Sequence, residues 1–148
     1  MTRLLLHACC APCSLEPVRL LTDEGFEPTI CWTNPNIQPA DEHDRRLAEL
    51  RRWCADEGIP LIEAAEDTAR WEARVAPIGA LRREMRCRAC YALRLAEACR
   101  VAVDEGFTHI ATTLAVSPYQ LFDTCNDVLD RLARAHGLTP VVRDFRPW

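Results

Sequence analysis

Apolar positions along the chain alternate between two periods. Leu4-Leu5-Leu6 is an unbroken apolar run that leads into the loop Cys9-Cys10-Ala11-Pro12-Cys13 and predicts a short buried strand. Leu15, Val18 and Leu21 then recur at helical spacing up to Gly25, with Ser14 as the expected N-cap. Pro28-Thr29-Ile30-Cys31-Trp32 is β-branched and aromatic and predicts a second strand. Asn34-Pro35-Asn36-Ile37-Gln38-Pro39 is a turn-rich loop. A long helix follows from Ala40 to Glu57, with Leu47, Leu50 and Cys54 on one face and Gly58 as its stop. Pro60-Leu61-Ile62 opens a third strand. Residues 66–86 carry a weaker pattern, read as a short helix over Thr68–Val75 and then a loop. From Cys90 to Glu105 a helix places Leu95, Cys99 and Ala102 on its inner stripe. Thr108–Thr112 is a fourth strand, and Ser117-Pro118 opens a helix that runs to Gly137 with Phe122, Cys125, Leu129 and Leu132 inward. Pro140-Val141-Val142 is a fifth strand.

Strand and helix alternate five times, which predicts one α/β domain over residues 1–148, in three layers around a mostly parallel five-stranded sheet. Ligands of such sheets bind outside the C-terminal strand ends, where the strand order reverses. The cysteine loop after strand one and the threonine-serine loop after strand four both leave C-terminal strand ends, so the two are expected to face each other.

Composition narrows the function. The chain has 148 residues and nine cysteines. One domain of this length buries a real core without disulfides. The N-terminus does not read as a secretory signal, and no apolar run nears the ~18 residues of a membrane span. A reducing, cytoplasmic setting is therefore expected, in which thiols stay thiols. All 18 basic residues are arginine, and the formal net charge is −4, which argues against a globally basic nucleic-acid binder. The balance is uneven: residues 1–81 carry −6 and residues 82–148 carry +2. The densest basic run is Arg82-Arg83-Glu84-Met85-Arg86-Cys87-Arg88, which charge alone reads as a solvated loop. No Gly-rich phosphate loop and no serine-hydrolase elbow is present.

The cysteines divide by context. Cys9 and Cys10 are adjacent at a strand exit, and a tight turn is needed for both to reach one centre. Cys87 and Cys90 form a C-x-x-C read as straddling a helix start, where the dipole favours the thiolate. Cys10 and Cys13 form a second C-x-x-C. Zinc, a four-iron cluster and a redox dithiol all fit thiols so spaced. Cys31, Cys54, Cys99 and Cys125 lie on apolar faces and read as core. His7 abuts the thiols, whereas His43, His109 and His136 read as surface or strand positions.

Several blocks resemble a known family, the cobalamin-independent epoxyqueuosine reductases called QueH. They are Leu6-His7-Ala8-Cys9-Cys10-Ala11-Pro12-Cys13-Ser14, the Asn34–Pro39 loop with Glu42 and Arg46 behind it, and Arg86-Cys87-Arg88-Ala89-Cys90-Tyr91-Ala92-Leu93-Arg94-Leu95. Thr112-Thr113-Leu114-Ala115-Val116-Ser117-Pro118-Tyr119 and Asp144-Phe145-Arg146 complete the set, in family order. The resemblance implies a Rossmann-like fold of the adenine nucleotide alpha hydrolase type. It implies reduction of epoxyqueuosine to queuosine at the tRNA wobble position, and a [4Fe-4S] cluster on Cys9, Cys10, Cys87 and Cys90. It also implies an additional iron, for which Cys13 is the candidate neighbour. Departures are Gln38 and His43, where the family usually has His and Tyr, and Leu121-Phe122-Asp123 after S-P-Y. The family usually continues past D-F-R to a Y-C-G-C segment. This sequence stops at Trp148, so it resembles a member shortened at the C-terminus.

Opening an epoxide to an alkene consumes two electrons and two protons and releases water. Tyr91, Tyr119, His7 and Asp144 are the candidate proton donors. Asn34, Asn36 and Ser117 are candidates to hold the modified base. Arg86, Arg88 and Arg94 are candidates for anticodon phosphates. Two other readings stand beside this one: an iron–sulfur reductase for a small molecule, and a zinc-stabilised binding module.

Overall fold

The computed structural model describes residues 1–116 and 121–146 of the chain. Five parallel strands form one sheet: β1 (Thr2–His7), β2 (Phe26–Trp32), β3 (Leu61–Glu63), β4 (His109–Thr112) and β5 (Thr139–Pro140), in the order β3-β2-β1-β4-β5. Five helices connect them: α1 (Leu15–Asp23), α2 (Ala40–Glu57), α3 (Thr68–Arg74), α4 (Arg83–Asp104) and α5 (Phe122–Ala135). Strand order reverses at β1, which pairs with both β2 and β4. The switch point therefore lies where the sequence places the cysteine loop.

A central parallel strand is buried on both faces, which explains the unbroken Leu4-Leu5-Leu6 run. Leu5 joins a core with Leu95, Cys99, Leu129 and other residues of α4 and α5. Leu4 and Leu6 point the other way and pack with Leu21 of α1 and with Leu47, Leu50 and Cys54 of α2. The helices thus cover both faces, giving the three predicted layers. α2 stops at Gly58, whose φ of +68° suits a residue without a Cβ, and its N–H bonds the Ala55 carbonyl. No helix among the described residues is long and apolar enough to cross a membrane.

Four expectations are corrected. α4 starts at Arg83, seven residues before Cys90, because Arg83–Ala89 contains neither Gly nor Pro and is rich in strong helix formers. The breakers are Pro77 and Gly79, upstream of it. The basic run is therefore the first turns of a helix, not a loop. Ser14 makes no side-chain cap on α1; it ends a 3-10 turn over Pro12–Ser14, and its hydroxyl donates to the Cys10 carbonyl at 2.8 Å. The last helix begins at Phe122, and its expected opening, Ser117-Pro118, lies outside the described residues. The fifth strand is only Thr139–Pro140, because Val142 is exposed and leaves the sheet.

Candidate thiolate centre

β1 ends at His7, and the chain turns at once. The adjacent cysteines need a tight turn to converge, and the 3-10 turn at Pro12–Ser14 supplies it. The sulfurs of Cys9, Cys10 and Cys13 all lie within 4.8 Å of one another. A single thiolate-bound ion with bonds of ~2.3 Å has ligand sulfurs ~3.8 Å apart, so the loop is close to that spacing as it stands. Hydrogen bonds from Cys10 and then from Cys13 hold the Cys9 thiol well below its ordinary range, outweighing burial. The bond to Cys10, that to Cys9 and burial push the Cys13 thiol far up. For Cys10, donation to Cys9 and burial outweigh the bond from Cys13, and its thiol is also raised. Cys9 is thus the first of the three to become thiolate.

Cys87 and Cys90 approach from α4. A crossover helix runs antiparallel to the strands it connects, so its N-terminal turns lie at the C-terminal strand ends. The spacing Cys87, Cys90, Tyr91, Arg94, Leu95 follows one helical stripe into the core. Cys9 and Cys87 pack against the same core cluster. The two cysteines are the fifth and eighth residues of α4, so they lie within the helix and do not straddle its start. Cys90 receives the Trp71 indole N–H at 3.4 Å and faces the Arg94 guanidinium at 3.9 Å. Cys87 and Cys90 do not fall within 4.8 Å of the other three thiols as a group.

Arg94 ties the two thiol groups together. It is 3% exposed, and its Nη2 donates to Asn34 Oδ1 at 2.6 Å. Asn34, fully buried, donates from Nδ2 to the Ala8 carbonyl at 2.9 Å, beside Cys9. The Asn34 backbone N–H donates to Glu66, which also pairs with His43. Two expectations change here. Asn34 is a clamp between α4 and the β1 exit, not a substrate contact. Arg94 is a buried cation, not a phosphate contact.

The remaining predicted residues fall as follows. His7 is fully buried, with Nδ1 on the Thr112 hydroxyl at 3.1 Å and Nε2 on the Thr33 carbonyl at 3.2 Å. Burial, with Arg94 nearby, lowers its pKa to about 4, so it is neutral and structural rather than a proton donor. Asp144 is exposed, and Arg146 holds its carboxyl below the usual range, so it is ionised and is not an acid at neutral pH. Arg88 is ion-paired with Asp127 at 2.8 Å, which occupies it on the α5 side. Asn36, Arg86, Tyr91 and both α4 cysteines line one cavity of about 450 Å³. Tyr91 accepts a bond from the Leu121 N–H at 3.1 Å, and burial pushes its phenol up to about 12. Ser117 and Tyr119 lie outside the described residues. Sequence reasoning missed Trp71 and Glu66, which sit where the periodic pattern is weakest.

The thiols divide cleanly by burial. Cys9, Cys10, Cys13, Cys87 and Cys90 are all partly exposed, while Cys31, Cys54, Cys99 and Cys125 are all buried. Burial pushes the Cys31 and Cys125 thiols up to about 12, as for inert core positions. Cys54→Ala and Cys99→Ala should each cost about 1 kcal/mol in urea unfolding and leave metal content unchanged. A fall in bound metal in either variant would show that the division is wrong.

A parallel sheet covered by helices on both faces, with three cysteines gathered in the loop at its switch point, defines an α/β protein with a candidate cysteine centre. A family model described as epoxyqueuosine reductase QueH matches residues 4–148, and the chain belongs to that family. Curated relatives with that description include one from Dehalococcoides mccartyi, 31% identical over 97% of this chain and 78% of its own length. Another, from Acinetobacter baylyi, is 33% identical over 84% of this chain, and one from Haemophilus influenzae is 34% identical over 90%. The matches span 58% and 55% of those two relatives. Among solved structures, a predicted subunit of tRNA methyltransferase from Methanocaldococcus jannaschii aligns with a TM-score of 0.67 at 9% identity, covering 97% of this chain and 68% of its own. The U34-tRNA thiolase NcsA from Methanococcus maripaludis, solved with its [4Fe-4S] cluster, aligns with a TM-score of 0.53 at 12% identity, covering 78% and 38%. Both share the fold.

Proposed function

We propose that this protein reduces epoxyqueuosine to queuosine in tRNA, using a [4Fe-4S] cluster held by Cys9, Cys10, Cys87 and Cys90, with Cys13 beside a further iron. The reading places it with cytoplasmic tRNA. The observation that carries it is the sorting of nine thiols into five partly exposed, three gathered in the loop after β1 and two on α4, and four buried. An all-thiolate donor set from two segments suits a soft metal centre. The Arg94–Asn34–Ala8 chain fixes the two segments against each other and supports a shared ligand set. When bound, the cluster supplies electrons one at a time, and two are needed for each epoxide. Tyr91 sits on the cavity wall with Cys87 and Cys90 and keeps its proton at neutral pH, so its hydroxyl is the donor favoured among the described candidates. The thiol loop is braced from below by Ser14, whose bond to the Cys10 carbonyl fixes the turn that gathers the sulfurs.

Expression in a bacterium lacking every epoxyqueuosine reductase tests this. The tRNA of that strain contains epoxyqueuosine, and the protein should convert it to queuosine, read by nucleoside mass spectrometry. Tyr91→Phe should retain iron and lower conversion at least ~10-fold, in the range of a lost general acid. Full conversion by Tyr91→Phe would remove the phenol from the proton path.

A further inference from the structure

Cys90 is met from two elements by groups that stabilise negative charge on its sulfur. The Trp71 indole N–H of α3 donates to it at 3.4 Å, and the Arg94 Nη1 of α4 stands at 3.9 Å. We propose that Trp71 and Arg94 are positioning residues that raise the reduction potential of the cysteine centre. Arg94 acts as its buried counter-ion, and Trp71 as a hydrogen-bond donor to a ligand sulfur. This rests on the iron–sulfur reading above and adds what sets the ease with which electrons enter.

Arg94 is a buried cation without a matching anion. It is 3% exposed, its Nη2 bonds the neutral amide of Asn34, and its Nε is buried without a partner. None of its polar contacts among the described residues is a carboxylate. The acid of this network, Glu66, is taken up by the Asn34 backbone N–H and by His43. Exposed arginines are treated differently: Arg100, two turns beyond Cys90 and more, is paired with both Glu97 and Asp104. Carboxylates thus stand beside arginines that water would solvate, and none stands beside the one that water cannot reach. An unpaired buried charge is strongly unfavourable. The groups left to balance it are the thiols, Cys90 directly and Cys9 next to the Ala8 carbonyl that Asn34 holds. A centre with four thiolate ligands is anionic and supplies the missing charge.

Both groups are held in place. Arg94 lies one turn after Cys90 on the same helical face, and Asn34 pins its guanidinium at 2.6 Å. α3 is capped by Asp67, whose carboxylate accepts the Arg70 backbone N–H at 2.9 Å. Arg86, one turn before Cys90, sets its guanidinium 5.9 Å from the Trp71 ring.

The consequence follows from charge. Each electron comes from an external low-potential one-electron donor and adds one negative charge to the centre, and no bond forms or breaks. A nearby cation and an N–H donor bind the more negative, reduced form more tightly, which raises the potential. Burial keeps the field of Arg94 from being screened by salt.

Spectroelectrochemistry of the iron-loaded protein under anaerobic conditions tests this. Trp71→Phe keeps an aromatic ring and loses the N–H; it should lower the reduction equilibrium constant about 10-fold, about 59 mV for one electron. Arg94→Met should lower it by at least as much, and that shift should persist in high salt. Arg100→Gln removes an equal charge from the exposed side of the same helix and should stay within about 2-fold of wild type. Trp71→Phe decides alone if Arg94→Met does not retain its iron. An unmoved potential in either iron-loaded variant, or a shift no larger than that of Arg100→Gln, overturns the proposal even if queuosine still forms. Wild-type protein that holds no cluster overturns the iron–sulfur reading itself.

Discussion

Asn34→Ala is expected to lower the unfolding free energy of the metal-free, reduced protein by about 3–5 kcal/mol. The reason is accounting of buried polar groups. Asn34 gives Nδ2 to the Ala8 carbonyl and Oδ1 to Arg94, and both it and Arg94 are buried. Removing the amide leaves a carbonyl unpaired and a guanidinium without its shortest partner. A lone buried polar group costs about 1–3 kcal/mol, and a charged one costs more. The cation is the larger part, which gives a sharper expectation. Adding Arg94→Met to Asn34→Ala removes the unpaired charge and should recover stability, because apolar replacement of buried charge is often neutral or better. Urea unfolding of the two singles and the double checks this. A loss under 1 kcal/mol for Asn34→Ala, or a double variant weaker than the single by the full sum, would contradict the clamp.

Loss of metal is the second large effect. Cys90→Ala should purify anaerobically with less than a tenth of the wild-type iron and without the broad absorption near ~400 nm of thiolate-bound clusters. Cys9→Ala should behave alike, because the proposed ligand set draws on both segments. Cys13→Ala should keep the absorption and lose only the further iron. Cys99→Ala should match wild type, since that thiol is buried among Leu95, Val128 and Leu129. Iron retained in full by Cys90→Ala, or a colourless wild type holding one zinc, would end the iron–sulfur reading.

Much of this was legible one element at a time. The limits of α2, the both-sides-buried β1 run and the switch-point position of the thiol loop follow from periodicity and from Gly and Pro placement. The five partly exposed and four buried thiols separate because strand exits and apolar stripes are visible in the chain. What escaped the sequence is long-range. Asn34 reads as a turn former, yet its partners lie 26 and 60 residues away. Arg94 belongs to a basic stretch by composition, but the stripe that carries Cys87 and Cys90 turns it inward. His7 could be located beside the thiols; that it spends both ring nitrogens on Thr112 and Thr33 depends on how β4 and β2 flank β1. Residues 66–86 set the breakers Pro77 and Gly79 among short helical segments, so no period emerges, and Trp71 lies there.

The most direct test uses purified, iron-loaded protein under strict anaerobiosis with a chemical reductant and tRNA carrying epoxyqueuosine. Nucleosides are then digested and weighed. Queuosine should appear as epoxyqueuosine is lost, with a mass about 16 Da lower for the one oxygen removed as water. The Cys90→Ala protein should give none. Unchanged epoxyqueuosine in the presence of intact cluster and bound tRNA would contradict the proposed reaction.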